Sequence, residues 1–333
     1  MNHLFPVQDS TLAANALAEM VRLNYALPGT VQCRFFRKGI CDTYRVFADN
    51  QTFYLKVYKQ GRRGRTAVSE EVRLLNYLAA DGIPVVKPVM RSDGKYVNGL
   101  AAPEGTRYAV LFESAPGAAG HDGDEKKISA FGRLVARMHK SLDAFPLPYR
   151  RTPLDMNHLI GENMAVIMPF MAHRPNDLAL IADIAEQCRD LALLKIKEKP
   201  AFGICHGDLH GGDVCFDAAG RPTLFDFDSS GCGWRALDIG VFLASVDWMD
   251  ISTEAEARRL RQLDAFLAGY GRIRTLTSDE ITAIQYTPPI RHIFLMGLVL
   301  RYTAVQQGDH WANEQFIDWH MNWFRHWAKT TTS

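Results

Sequence analysis

The sequence lacks any block of charge of one sign. Its 333 residues carry 38 Lys and Arg against 37 Asp and Glu, a formal net charge of +1 at pH 7. Nucleic acid and anionic membrane surfaces usually attract strongly basic proteins, so neither is expected as a partner. Internal repeats and low-complexity segments are also missing. A hydrophobic fraction of 47% with 23% charged residues is typical of a globular chain.

Paired cysteines and long apolar runs are missing too. The six cysteines are scattered without a C-x-x-C pair, which favours reduced thiols over disulfides or a zinc site. The N-terminal residues show no basic stretch followed by an apolar one, so no secretory signal is expected. The apolar run at residues 293–300 is far too short to span a bilayer. We therefore expect a cytoplasmic protein.

The front part of the chain has the pattern of an antiparallel sheet. Aromatic and β-branched runs separated by turns predict strands at residues 32–36, 44–47, 53–58, 95–97 and 108–112. Apolar side chains at helical spacing predict helices at residues 12–25 and 69–80.

The remainder is mostly helical in pattern. Apolar periodicity predicts helices at residues 128–142, 176–198, 234–250, 254–270, 279–286, 290–305 and 314–327. The break at residues 113–117, E-S-A-P-G, indicates a linker. A sheet-rich front and a helix-rich back predict an α+β fold of two lobes, residues 1–113 and 114–333.

One interruption of the helical part carries the candidates for chemistry. Residues 206–210, H-G-D-L-H, form a glycine-bearing loop after an apolar run, and Asp213 follows them. A strand-like run further along contains Asp226 and Asp228. Carboxylates on neighbouring loops suit phosphoryl transfer, in which one accepts the proton of the acceptor hydroxyl and others hold Mg²⁺ against nucleotide phosphates.

This segment resembles the H-G-D-x-H-x-x-N catalytic loop and the D-x-D metal strand of the aminoglycoside phosphotransferase and choline kinase superfamily. Within it, the chain is most similar to the stress-response kinase A and type II homoserine kinase branch. The resemblance is strongest at residues 204–240. It implies a two-lobed protein-kinase-like fold, with a small antiparallel-sheet N-lobe and a larger, mostly helical C-lobe. It also implies ATP and Mg²⁺ as cofactors.

The resemblance implies a role for each polar residue of the segment. Asp208 would be the base that orients and deprotonates the acceptor hydroxyl, and Asp226 would be the principal Mg²⁺ ligand. Asp213 would be a second metal ligand, although the family usually has Asn there, and its extra negative charge would lie beside the triphosphate. The residues that would brace the loop, anchor it or lie beside the metal are His206, His210, Asp228 and Asp238.

The front lobe would supply the nucleotide contacts. Lys56 lies in the third predicted strand, and the resemblance implies that its ammonium binds the ATP phosphates. Glu71, on the helix that follows, would orient this lysine. Glu70 sits about 100° away around that helix and is less suited. The basic residues after Lys56, from Lys59 to Arg65, are interpreted as a solvated loop.

Three further positions would contact the nucleotide. Gly39 belongs to a phosphate-covering turn at residues 39–44, which holds a single glycine and has Asp42 where the family commonly has Asn. Backbone groups near Phe112 and Ser114 would contact adenine if the linker lies there.

The resemblance implies an ATP-dependent phosphotransferase that moves the γ-phosphoryl group to a hydroxyl of a small molecule. The acceptor would be an amino sugar, an amino alcohol, an amino acid or a related metabolite. Acidic residues that would suit a cationic acceptor follow the metal strand, with arginines close by; they are Asp247, Asp250, Glu254 and Glu256.

Other functions remain open at this point. The acceptor would be a protein Ser or Thr if the chain follows the stress-response kinases. The chain would be a nucleotide-binding pseudokinase if Asp213 and the glycine-poor turn prevent turnover. A metallohydrolase would use the ligands His206, Asp208, His210 and Asp226, but it leaves Lys56 and Glu71 without a role.

Two features are interpreted as structural. His139 lies in an apolar helical pattern and is expected to be a packed, hydrogen-bonded residue rather than a base. Aromatic side chains near the C-terminus recur at helical spacing, which is more typical of a core stripe than of a ligand site; they are Phe316, Trp319, Trp323 and Trp327.

Overall fold

The computed structural model describes residues 5–303 and 308–331. It divides into two compact units, Met1–Pro116 and Gly117–Ser333. In the described part of the chain, no helix is long and apolar enough to cross a membrane.

The first unit is built on a five-stranded antiparallel sheet with the strand order β1-β2-β3-β5-β4. Its strands are β1 (Val31–Lys38), β2 (Cys41–Ala48), β3 (Gln51–Tyr58), β4 (Asn98–Ala102) and β5 (Gly105–Glu113). Two helices accompany the sheet, α1 (Ala14–Asn24) and α2 (Arg65–Ala80). The central strand β3 therefore pairs on both sides, with β2 and with β5.

Alternation along the strands gives this sheet one apolar face. Leu55 and Val57 of β3 are buried together with Tyr44 of β2, and α1 covers them with Leu17 and Val21. Because side chains alternate between the two faces of a strand, the residue between Leu55 and Val57 points to the opposite face. That residue is the lysine singled out in the sequence.

The fourth predicted strand is displaced, since β4 begins only at Asn98. Arg91 donates from its backbone N to Lys95 O (2.7 Å) and from Nη1 to Val97 O (3.1 Å). These loop contacts occupy carbonyl groups that a strand ladder would need. The hairpin with β5 therefore starts where Asn98 pairs with Ala109.

The second unit is mainly helical. Its helices are α3 (Glu125–Leu142), α4 (Glu162–Phe170), α5 (Pro175–Arg189), α6 (Arg235–Ser245), α7 (Thr253–Tyr270), α8 (Ser278–Leu298) and α9 (Glu314–Thr331). Its short strands are β6 (Ala118–Ala119), β7 (Phe202–Cys205), β8 (Val214–Phe216), β9 (Pro222–Leu224) and β10 (Gly231–Trp234). They form two small antiparallel sheets, β10-β7 and β6-β8-β9, so the predicted α+β class is confirmed.

Helices α3, α6 and α7 share an aromatic core. Phe131, Phe242 and Phe266 meet with ring centroids 4.6–5.8 Å apart. Helices α3 and α7 approach each other closely at two glycines, because a Cβ on Gly132 would lie 2.1 Å from Phe266 O and one on Gly269 would lie 1.8 Å from a backbone carbonyl oxygen of α3. This approach places the N-terminal half of α3 against the last turns of α7.

Two helices predicted on either side of Pro288 and Pro289 are a single helix, α8. Proline removes a backbone N–H donor and normally ends a helix. Here both prolines are buried where α8 packs on its neighbours, and Thr287 Oγ1 donates to Ala283 O (2.9 Å). Tertiary packing therefore overrides the local signal. The last predicted turn, to residue 305, extends beyond the described residues.

Two other predicted helices are too long. Helix α6 ends at Ser245, and Asp247 then adopts a φ of 47°, which a right-handed helix does not accommodate. Helix α5 ends at Arg189 and is followed by a separate 3₁₀ turn, Ala192–Lys195. The early end of α6 leaves an irregular segment beside the loop at residues 206–210.

The aromatic stripe of α9 is only partly a core stripe. Trp323 and Trp327 are buried, whereas Trp319 is 55% exposed. The prediction was wrong for Trp319 because its position falls on the outer side of the helix. The buried members instead pack on α8, where Trp323 stacks on His292 with centroids 3.7 Å apart.

Candidate active site

The H-G-D-L-H loop (residues 206–210) follows β7 directly. Gly207 has a φ of 81°, and a Cβ there would lie 2.2 Å from Ser229 O. Only glycine combines this conformation with so close an approach of two backbones. The glycine therefore presses the loop against the turn at Phe227–Ser229.

The backbone of this loop is held from behind by Asp238 of α6. Its Oδ2 accepts from His206 N (2.7 Å) and its Oδ1 accepts from Gly207 N (2.8 Å). Burial by itself would raise the pKa of Asp238, but hydrogen bonds from His139 and from the loop hold it below its ordinary value. The buried carboxylate is thus kept ionised and anchors the loop, as the sequence predicted by resemblance.

A second layer supports Asp238. His139 Nε2 lies 3.1 Å from Asp238 Oδ2, and His139 Nδ1 lies 3.0 Å from the Tyr270 hydroxyl, which accepts from Arg274 Nη1 (2.9 Å). Burial lowers the pKa of His139 to about 4, so the ring is neutral. It donates from Nε2 to the carboxylate and accepts at Nδ1 from the tyrosine. The close approach of α3 and α7 makes this chain possible.

His206 braces the loop in a similar way. Its Nε2 lies 3.0 Å from Phe225 O, and its Nδ1 accepts from Asp208 N (3.3 Å). A carbonyl can only accept, so the proton is on Nε2. The ring, fully buried, thereby connects the residue ahead of Asp226 to the backbone of Asp208.

Asp208 lies at the open side of the loop. Its side chain is 29% exposed, and its Oδ1 accepts a hydrogen bond from Arg291 Nη2. Arg291 belongs to α8, far away in the sequence, and sequence reasoning missed it. An arginine in an apolar helix carries no distinctive signal, so only the folded chain could reveal this contact.

Asp208, His210 and Asp213 form a group of possible metal ligands. One ligand atom of each lies within 4.8 Å of the other two. His210 Nδ1 accepts from Gly212 N (3.0 Å), so its Nε2 carries the proton and lies 3.3 Å from Asp213 Oδ2. Burial lowers the pKa of His210. In this arrangement His210 offers no free lone pair, since Nδ1 accepts a hydrogen bond and Nε2 is protonated; the two carboxylates can hold a divalent cation.

Asp226 is not a member of this group, but its segment is connected to the group through the backbone. It adopts a left-handed conformation (φ 63°, ψ 57°) at the start of the turn that Gly207 touches. The residue before it, Phe225, donates from N to Asp213 O (3.0 Å). The segments that carry Asp213 and Asp226 are therefore joined by a backbone hydrogen bond, and their roles as metal ligands stay predictions.

Asp228 is nearly buried beside an arginine. The guanidinium Nη2 of Arg151 lies 3.9 Å from Asp228 Oδ1 and donates to the backbone carbonyl of Asp228. The same arginine donates from Nε to Ser230 O (3.3 Å). These contacts give Asp228 a structural setting in the turn, and its place beside a metal stays a prediction.

In the first unit, Lys56 and Glu71 lie together. Lys56 Nζ is 3.5 Å from Glu71 Oε1, and the glutamate is 1% exposed. Glu70 instead pairs with Arg73 on the same helix (2.6 Å). The structure thus pairs the lysine with the glutamate that the sequence favoured, while the contact of Lys56 with nucleotide stays a prediction.

The surroundings of the predicted phosphate-covering turn, residues 39–44, differ from those that the sequence predicted. Gly39 lies between β1 and β2, but Asp42 is fully buried and pairs with Arg107 (2.8 Å) and Lys59 (2.9 Å). The interpretation of Lys59 as a solvated residue was therefore wrong, because Asp9 and Asp42 hold its ammonium in the interior.

The two positions assigned to adenine lie at the end of β5. Phe112 is 8% exposed and forms an isolated bridge with Pro88. Ser114 is exposed, and its Oγ contacts Ala115 O (3.4 Å). Their contact with adenine stays a prediction.

A cavity of about 430 Å³ lies beside the loop in the second unit. The turn that follows Asp208 forms one wall, and Arg291 forms part of another. The remaining walls come from the segment after α6 and from Gln262 of α7. A cavity of this size can hold a small metabolite next to Asp208.

The chain is similar to known phosphotransferases in sequence. The model of the phosphotransferase enzyme family matches residues 32–276. An uncharacterized protein of Synechocystis sp. is 36% identical over 284 residues, 84% of this chain and 76% of that protein. Amicoumacin kinase of Bacillus subtilis is 27% identical over 278 residues, 80% of each chain. Homoserine kinase of Polaromonas naphthalenivorans is 27% identical over 215 residues, 64% of each chain.

Solved structures show the same fold. An amicoumacin kinase in complex with AMP-PNP, Ca²⁺ and Ami has a TM-score of 0.72 at 23% identity, covering 89% of this chain and 91% of that one. A microcompartment-associated aminopropanol kinase has a TM-score of 0.77 at 17% identity, covering 95% and 98%. The predicted protein-kinase-like fold is therefore confirmed.

Proposed function

Because the chain belongs to the phosphotransferase enzyme family and is a phosphotransferase with a hydroxyl group as acceptor, we propose that it moves the γ-phosphoryl group of ATP to a hydroxyl of a small molecule. The observation that carries this proposal is the setting of Asp208. The two residues before it are fixed by the buried Asp238, while its carboxylate lies with the possible metal ligands and contacts Arg291, which lines the cavity.

In this reaction the acceptor oxygen bonds to the γ-phosphorus, the bond from that phosphorus to the β,γ-bridging oxygen breaks, and ADP leaves. Asp208 takes the proton of the acceptor hydroxyl. Arg291 occupies its Oδ1, and Oδ2 accepts no hydrogen bond from the described residues. We therefore assign the proton to Oδ2.

The donor set fits a divalent cation, and we propose Mg²⁺. Asp226 and Asp213 would hold it through carboxylate oxygens, which Mg²⁺ prefers as ligands. When bound, the ion would neutralise negative charge on the phosphates. In the first unit, Lys56 would bind the phosphates, and its pairing with Glu71 supports that role because it fixes the ammonium in one position.

The acceptor class is proposed from the named relatives. Their names describe kinases of amicoumacin, aminopropanol and homoserine. An amino alcohol or a hydroxylated amino acid is therefore the acceptor that we propose for this chain. A cytoplasmic location is also proposed, supported by six cysteines that form no disulfide bond.

A coupled ADP-release assay across amino alcohols, hydroxylated amino acids and aminoglycosides tests the function. We expect an acceptor-dependent signal that Asp208→Asn lowers about 100- to 10,000-fold in kcat, the usual contribution of a general base. Asp264→Asn, an exposed carboxylate on α7, serves as the matched control and should keep wild-type turnover. If Asp208→Asn turns over as fast as wild type, the assigned base is wrong.

The same purified protein separates the alternatives. Labelling of a protein band in cell extract with γ-labelled ATP, without turnover of any small molecule, would favour a protein kinase. Nucleotide binding seen as a thermal shift, without turnover of any acceptor, would favour a pseudokinase. Either result would replace the proposed small-molecule activity.

A further inference from the structure

Arg291 is a poorly satisfied cation in a confined place. Its side chain is 11% exposed and makes one hydrogen bond, from Nη2 to Asp208. The guanidinium also lies 5.5 Å from the Phe294 ring centroid. Within the residues that the structure describes, Nε and Nη1 donate to no protein acceptor. An arginine fork presents five N–H groups in one plane, so most of its donor capacity is unused by the protein.

Arg291 lines the cavity of about 430 Å³ beside the H-G-D-L-H loop. Nη2 has a second N–H, and together with the N–H of Nε or of Nη1, whichever lies on the edge away from Asp208, it can bind a two-oxygen anion bidentately. The Oδ1 contact also keeps Arg291 within reach of whatever molecule offers its hydroxyl to Asp208. The position therefore favours an anionic group on the acceptor itself.

A second unsatisfied group lines the same cavity. Gln262 Oε1 is buried and accepts no hydrogen bond from the residues that the structure describes. A buried amide oxygen without a donor is costly, by about 1–3 kcal/mol for such a group. An amine or a second hydroxyl on the bound molecule would supply the missing donor.

The acidic residues near the cavity are already neutralised. Asp247 pairs with Arg258 (2.7 Å), which also lies 3.7 Å from Asp250. Glu256 pairs with Arg259 (2.8 Å). These ion pairs weaken the expectation that an acidic wall selects a purely cationic acceptor, because each carboxylate has a cation at hand.

We propose that Arg291 is a specificity-determining residue that binds a carboxylate on the acceptor, so that the preferred substrate is a hydroxylated carboxylic acid with an amine or hydroxyl for Gln262. This inference rests on the proposed phosphotransferase function and narrows its substrate class. The acceptor carboxylate lies on the free side of the guanidinium, its hydroxyl lies at Asp208 Oδ2, and its N–H or O–H group donates to Gln262.

The test uses acceptor pairs that differ only by a carboxylate. L-Homoserine is compared with 3-aminopropan-1-ol, and L-threonine with 1-aminopropan-2-ol. Glycerate, glycerol and glycerol 3-phosphate form a third set, which separates a carboxylate from a phosphate ester. In the pair that the wild-type enzyme phosphorylates, we expect kcat/KM to be at least about tenfold higher for the acceptor with the carboxylate. The reason is that a site built to bind a polar group discriminates against the analogue that lacks it.

Arg291→Gln tests the residue. Arg291 also contacts Asp208, so its substitution is expected to change kcat for every acceptor. The readout is therefore the ratio of kcat/KM between the two acceptors of a pair, measured for each protein. We expect Arg291→Gln to bring this ratio close to one, chiefly through a higher KM for the carboxylate, and Arg291→Lys to restore part of it. Arg325→Gln removes an exposed arginine of α9 that pairs with Asp177 and should leave the ratio unchanged.

The results that would contradict the role of Arg291 differ from those that would contradict the proposed function. Absence of ATP-dependent phosphorylation for every acceptor would remove the function itself. Phosphorylation that favours the decarboxylated partner, or a best acceptor without an acidic group, would overturn the role of Arg291 and leave the function standing. An unchanged ratio in Arg291→Gln would also overturn it, and a preference for glycerol 3-phosphate over glycerate would reject the carboxylate.

Discussion

Behind the H-G-D-L-H loop, Asp238 accepts two backbone hydrogen bonds and is itself held by a neutral histidine, a tyrosine and an arginine. In front of the loop, Arg291 is the one side-chain partner of Asp208 within the described residues, and Arg291 lines a cavity. Among the described residues, the rear contacts are buried and satisfied except at Arg274 Nε, which has no acceptor, whereas the front contacts leave more donors and acceptors unused.

This difference indicates that the contacts behind the loop stabilise the fold and that the groups in front of it are available to bind ligands. A satisfied buried network is rigid, and it costs free energy to remove any member of it. A partly satisfied group at a cavity wall gains its remaining hydrogen bonds only from a bound molecule. Substitutions behind the loop should therefore affect folding and activity together, while those in front should affect ligands with little effect on folding.

The largest combined effect is expected behind the loop. Asp238→Asn replaces one of the two oxygens that accept from the loop with an NH₂ group, which cannot accept, and it removes the charge. We expect a loss of about 2–4 kcal/mol in the free energy of unfolding, since charge-assisted bonds to buried N–H groups are lost. Turnover should fall at least about tenfold, because the backbone of Asp208 is no longer fixed.

Urea unfolding and the ADP-release assay measure both effects on the same protein. Asp264→Asn, an exposed carboxylate on α7, should change the free energy of unfolding by less than about 0.5 kcal/mol. If Asp238→Asn lowered turnover but kept wild-type stability, the rear network would not be the structural support described above.

In front of the loop, a substitution of Asp213 is expected to change nucleotide binding without changing stability. Asp213→Asn introduces the residue usual in the family and removes one negative charge beside the proposed triphosphate. We expect the KM for ATP to fall about threefold or more, because repulsion between nearby negative charges is lost. The midpoint of urea unfolding should stay the same as in wild type. A higher KM instead would mean that the second carboxylate is needed to hold the metal.

The sequence allowed much of this front side to be predicted, because its members are close in the chain. Asp208, His210 and Asp213 fall within one loop, and the structure brings one ligand atom of each together; the metal ligands that the sequence predicted are Asp213 and Asp226, and these roles stay predictions. In the first unit, the pairing of Lys56 with Glu71 followed from the family resemblance, and helix geometry only disfavoured Glu70.

Contacts between distant segments could not be predicted in this way. Arg291 reaches Asp208 only because α8 continues through Pro288 and Pro289, where local rules predict a break. The role of His139 depends on the close approach of α3 and α7. Lys59 looked solvated since nothing in its own segment revealed Asp42 as a buried partner. Packing decides each of these cases, and one sequence does not display packing.

The smallest effect concerns the pH dependence of the rear network. Burial lowers the pKa of His139 from 6.5 to about 4, so the folded state resists a proton that the unfolded chain binds. The stability from the neutral ring is complete above pH 6.5 and is lost as the pH falls from 6.5 towards 4, by at most about 3 kcal/mol. His139→Gln should therefore flatten the decline of unfolding free energy across this range.

Urea unfolding at pH 7.5, 6 and 5 measures that slope. His173→Gln, which removes a histidine that is 55% exposed, provides the control and should keep the wild-type slope. An equal slope in His139→Gln and wild type would show that the buried ring accepts its proton without cost, and the rear network would then be less rigid than its hydrogen bonds imply.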